Sequence, residues 1–190
     1  LRLDYAKIWA SDFYSEILLR LDQLENGYND KIVLNITFKF KISRSIEQFG
    51  TLDGTIERLR KYFELFYNMV CAKLLGKNYH RKDRSSYPIV WTFLEPGGHK
   101  FAREIGEIID LHFHTVWFID RNQEALVQDV RNKFISGKRV CISDIFIQNV
   151  NFGENRTKDL YRVFKYNLKF QNILKSDAEI PDSIWRYPKH

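Results

Sequence analysis

Two residues in this sequence have the type and spacing for metal chemistry: His112 and His114, separated by Phe113. They lie in the apolar run from Ile108 to Asp120, which is rich in branched and aromatic residues and reads as a β-strand. Strand side chains alternate between faces, so both imidazoles point one way and Phe113 points the other. Two imidazoles on one face are a ready pair of ligands for a divalent ion. The same pair also suits a half-polar strand face that binds nothing, so the rest of the chain has to decide.

A hairpin must position this pair. Tyr87 to Glu95 reads as a second strand, and Pro96-Gly97-Gly98 turns the chain out of it. Two strands joined in this way are expected to be antiparallel neighbours, which brings Glu95 beside the histidines. A third strand, Lys31 to Ser43, alternates cleanly. Ile32, Leu34, Ile36, Phe38, Phe40 and Ile42 form a core face. Val33, Asn35, Thr37, Lys39 and Lys41 form the other, where Asn35, Thr37, Lys39 and Lys41 can meet phosphates or simply face solvent.

The remaining segments read as packing elements. A helix is expected within residues 1–30, ending at Asn26-Gly27. A second runs from about Thr55 to Leu75, capped by Asp53 and stopped by Gly76. Residues 77–86 form a basic loop that suits a phosphate backbone and, more commonly, plain solvation. A third helix spans 121–136, a strand spans 138–150, and a last helix runs from Asn155 or Thr157 to about Leu174. The tail, 176–190, reads as a surface extension. The order α-β-α-β-β-α-β-α predicts an α+β fold with a central antiparallel sheet and packed helices.

Composition sets the bounds. The chain has 190 residues, 44% hydrophobic and 28% charged, which is globular rather than disordered. Its net charge of +6 leans toward a polyanionic partner. Cys71 and Cys141 form neither a disulfide framework nor a zinc-ribbon spacing, so a reducing, cytoplasmic setting is expected. No apolar run approaches the ~18 residues of a membrane span, and no membrane partner is expected.

Three segments in this order resemble the HUH endonuclease superfamily, and within it the rolling-circle replication initiators of the filamentous-phage and prophage replication-protein-like family. They are the polar-faced strand Val33 to Phe38, Glu95 with His112-Phe113-His114, and a late helix with Tyr166-Asn167-Leu168-Lys169. The resemblance spans residues 32–169 and implies an HUH/RRM-like two-layer sandwich over 31–175. It implies that His112, His114 and Glu95 hold Mg or Mn. Residues 96–111 make a longer insertion than the pattern expects, which keeps His99 and Glu107 as alternatives to Glu95. It also implies a tyrosine nucleophile that joins the 5′ end of cleaved single-stranded or hairpin DNA. Tyr166 with Lys169 matches YxxK and is preferred; Tyr161 with Lys165 matches YxxxK. The two tyrosines stand about 140° apart around a helix, so both cannot easily face one ion. No Walker motif is present in this sequence, so unwinding would fall to a partner such as a host or phage helicase, or to a further part of a longer chain. Two other readings stay open: a non-cleaving DNA-binding module of the same fold, and a non-haem metal oxygenase or cupin. The last lacks the glutamate and glycine that a cupin places after its second histidine.

Overall fold

Alternation within the strands decides the architecture. A computed structural model of the chain describes Ser15 and residues 31–40, 52–95, 112–137, 141–150, 156–168 and 184–188. The strands are β1 (Lys31–Phe40), β2 (Ile89–Glu95), β3 (His112–Asp120), β4 (Ile142–Asn149) and β5 (Ile184–Tyr187). The helices are α1 (Leu52–Leu75), α2 (Glu124–Ser136) and α3 (Arg156–Leu168). The five strands form one sheet in the order β4-β1-β3-β2-β5, and every neighbouring pair is antiparallel. The fold is α+β.

One sheet face makes the main core. Ile32, Leu34, Ile36, Phe38 and Phe40 of β1 join Phe113, Trp117 and Ile119 of β3 beneath α1 and α2. Leu59, Phe63, Phe66 and Val70 enter from α1, and Val127, Val130 and Phe134 from α2. The rings meet edge to face, Phe38–Phe66 at 5.0 Å and Phe66–Phe134 at 5.3 Å, a geometry that suits aromatic quadrupoles. Thr115 and its cross-strand partner Thr92 are buried polar residues on this face, and Thr115 is well bonded. Its hydroxyl donates to the Ile36 carbonyl (3.0 Å) and accepts from the Trp117 indole (2.7 Å), so no polar atom of that group is stranded.

The other face carries a smaller apolar cluster. Val33, Trp91, Phe93 and Val116 pack against Leu160 and Phe164 of α3. The sheet with α1 and α2 therefore forms the two-layer body, while α3 lies across part of the opposite face.

Three elements differ from the sequence expectation. α1 begins at Leu52, so Asp53 lies inside the helix instead of capping it. Residues 121–123 form a 3-10 turn ahead of α2, closed by Asp120 N donating to the Gln123 side chain at 3.1 Å. Ile184–Tyr187 is a strand paired with β2, with Tyr187 buried against α1, so this part of the tail is no surface extension. Gly76 ends α1 as expected, at φ +92. The helix expected within 1–30 lies outside the described residues apart from Ser15, which is helical. No helix among the described residues is long and apolar enough to cross a membrane.

Phe113 is fully buried, 5.0 Å from the Phe40 ring and 6.5 Å from that of Phe63. Phe113→Ala should cost about 3–5 kcal/mol of unfolding free energy, measured by urea titration with EDTA present. A loss under ~1 kcal/mol would show that β3 is not anchored there.

Candidate metal centre

Strand register builds the centre. Glu95, the last residue of β2, pairs directly with His112, and Thr37 and Phe93 flank His114 from either side. Glu95 Oε2 lies 2.7 Å from His114 Nε2 and 3.3 Å from His112 Nε2. The two imidazole planes stand at 80°, with centroids 4.8 Å apart. Glu95 and His114 are each 7% exposed. The ligand-type atoms of all three residues lie within 4.8 Å of one another.

The donor set fits a metal ion. Glu95 Oε2 and His114 Nε2 are close, yet neither has a hydrogen-bond partner of acceptable geometry. Two buried acceptors aimed at a shared point are costly unless a cation or a proton occupies it. Ligands about 2.1 Å from an ion and at right angles are about 3 Å apart, and the observed 2.7 and 3.3 Å bracket that spacing. Imidazole and carboxylate together suit divalent transition ions and leave further coordination positions open.

Thr37 completes the support. Its Oγ1 lies 3.0 Å from His114 Nδ1. With Nε2 given to a bound ion, Nδ1 would carry the proton and donate to Thr37, fixing ring orientation and tautomer. Thr37 thus lies beside a histidine, where the sequence offered it as a phosphate contact or a solvated side chain. The signal was available in the register, which puts Thr37 directly opposite His114.

Burial raises the Glu95 pKa, but the neighbouring His112 and His114 outweigh it and hold the carboxyl at about 2. The residue is therefore a carboxylate across the ordinary pH range.

α3 brings one tyrosine to the centre. The Tyr166 ring is 6.0 Å from the His114 ring at 76°, and Tyr166 is 52% exposed. Tyr161, 44% exposed, lies about 7.5 Å back along the helix and about 140° around it. Sequence reasoning passed over Asn167. It falls at helical spacing with Leu160 and Phe164, which face the sheet, and is 2% exposed. Neither its Oδ1 nor its Nδ2 has a partner among the described residues. A buried amide in this condition costs about 1–3 kcal/mol unless a ligand meets it.

Asn35, Thr37 and Lys39 share the face of the centre, as their register with β3 requires. The basic loop lies at the opposite end of β2, about 20 Å along the strand, and is folded into two 3-10 turns. Lys41, Lys169, His99 and Glu107 lie outside the described residues, as does the side chain of Lys165. No protein-family profile matches the chain, and neither a curated protein nor a solved structure is significantly similar to it.

Thr37→Val should weaken Mn binding by 10- to 100-fold in calorimetric titration while the fold is retained. Equal affinity would show that Thr37 does not orient a ligand. Affinity should also fall on acidification, because protons compete for the same imidazole lone pairs. Without metal, the depressed Glu95 pKa stabilises the fold above about pH 4.5, and that contribution is lost as pH falls through about 2. The stability gap between wild type and Glu95→Gln should therefore close over this window, from on the order of 2–3 kcal/mol. A gap independent of pH would mean that Glu95 is not ionised in the folded chain.

Proposed function

We propose that the chain is a metal-dependent nuclease that nicks and rejoins single-stranded DNA through a 5′-phosphotyrosine link. The observation that carries this reading is the convergence of Glu95, His112 and His114 with the Tyr166 ring, 6.0 Å from His114. A buried carboxylate–imidazole cluster alone fits many metal proteins. A tyrosine beside it, on the only described helix over that sheet face, supports a reading of nucleophilic attack on a phosphodiester.

Each residue then has a role. Glu95, His112 and His114 would hold the ion, with Mg or Mn the choice that the resemblance to HUH endonucleases implies. When bound, the ion would supply Lewis-acid stabilisation of the charge that develops on the scissile phosphate. Tyr166 gives up its proton to solvent and attacks phosphorus in line. The tyrosine O–P bond forms, the P–O3′ bond breaks, and the 3′ oxygen takes a proton as it leaves. A 3′-hydroxyl attacking the adduct runs the same exchange backwards and releases Tyr166. Lys169 is the lysine assigned to the developing charge, with Lys165 in that role if Tyr161 is the nucleophile. The biological setting we assign is initiation of rolling-circle replication of a phage, prophage or plasmid, with unwinding supplied by a separate helicase.

The test is covalent capture. Labelled single-stranded and hairpin oligonucleotides from the chain's own genomic neighbourhood are incubated with Mn or with EDTA, then run on denaturing SDS gels. A slow-migrating adduct is expected with Mn and absent with EDTA. It should vanish in Tyr166→Phe and His114→Ala and persist in Tyr161→Phe. Loss in Tyr161→Phe alone moves the nucleophile to Tyr161. Binding without an adduct on any substrate sinks the cleavage reading and favours a non-cleaving DNA-binding module.

A further inference from the structure

We infer that Phe146 of β4, with Lys39 beside it, is a stacking site for a base of the single strand whose phosphate sits at the metal centre. The inference rests on the nuclease reading above and adds a ligand site to it.

β4 is an edge strand, and Phe146 is 49% exposed. It pairs directly with Thr37, which pairs directly with His114. Phe146 therefore stands two strands, about 10 Å, from the histidine on the same sheet face. An exposed aromatic ring on an edge strand is a liability for a chain that gains nothing from it.

The neighbours of this ring match a nucleotide. Lys39 Nζ lies 5.0 Å from the ring centroid, and Lys39 sits directly opposite His112. One cation is thus next to both the ring and the centre, where a backbone phosphate joining them would pass. The acid of the same row, Asp144, is engaged by Arg131 at 3.2 Å and so does not oppose a phosphate with an unbalanced charge. Asn35 pairs with the exposed Gln148 in the row on the other side of Phe146. Gln148 thus places an exposed amide on that side of the ring, where a base edge can meet it.

The rest of the face is taken. α3 covers Val33, Trp91, Phe93 and Val116, and no helix among the described residues covers the β1–β4 side. Aromatic faces with cations between them are the elements that bind single strands with little sequence preference, since every base has a π-face.

The probe is a fluorescein-labelled oligo-dT 15-mer, titrated in EDTA and followed by anisotropy. Phe146→Ala should weaken binding by roughly 5- to 150-fold, Phe146→Trp should keep it, and Phe146→Leu should fall with the alanine variant. Because Phe146 is half-exposed, melting temperatures should match wild type. Leucine binding as well as phenylalanine would overturn stacking, and so would unchanged binding in the alanine variant. The adduct assay on the same variants separates the two readings. Adduct formation in wild type with unaltered binding in Phe146→Ala rejects the stacking site and leaves the nuclease standing. Weakened binding with no adduct in wild type keeps the stacking site and rejects cleavage. No binding by wild type rejects both.

Discussion

The structure depends on one residue pointing the wrong way for chemistry. Phe113 turns into the aromatic core beneath α1, and the pleat of β3 then leaves His112 and His114 no choice of face. A slip of one residue would bury both imidazoles among phenylalanines and expose the ring that anchors the strand. The core is therefore the device that aims the ligands. Neighbouring strands extend the constraint: the registers of β2 and β1 against β3 put Glu95 opposite one histidine and Thr37 opposite the other.

That arrangement concentrates polar atoms at the border of an apolar body. A carboxylate and two imidazoles are held mostly out of water, and the closest pair of atoms has no satisfactory hydrogen bond. Two occupants can settle the shared point. A proton makes an imidazolium–carboxylate pair, which is why the carboxyl is held so far down. A divalent ion makes a coordinated set with neutral imidazoles. The same geometry serves both, so acid and metal compete for one place. Burial sharpens the competition, because charge left uncompensated there is expensive.

Much of this was legible in the residues. Strict alternation in β1 and the His-Phe-His triplet fix faces without any tertiary information, and the Pro-Gly-Gly turn after Glu95 implies the antiparallel pairing. What stayed hidden depends on packing between distant segments. β5 has four residues, too few for a period to stand out, and Tyr187 reads as part of a polar tail until the α1 side chains that bury it are in place. Asn167 looked like filler between Tyr166 and Lys169. Only the docking of Leu160 and Phe164 on the sheet turns its amide inward. The choice between two tyrosines has the same origin. Both satisfy a spacing pattern, and helix rotation against the sheet decides which one meets a histidine.

α3 consequently does two jobs with two sides of one short helix. Leu160 and Phe164 seal the apolar half of the sheet face, as Phe93 and Phe164 show at 5.9 Å, while Tyr166 reaches the histidines at the seal's edge. Among the described residues the seal stops there, so the face divides into a dry half that holds the helix and an uncovered half on β1 and β4. The metal centre sits on the dividing line. Among the described residues, a ligand approaching across that half would meet Lys39, the Gln148 amide and the exposed Phe146 ring before the carboxylate. A polyanion crossing that half would meet Lys39 ahead of any repulsion from Glu95, which the histidines and a bound ion would offset. The order of charges along that path follows from strand register alone.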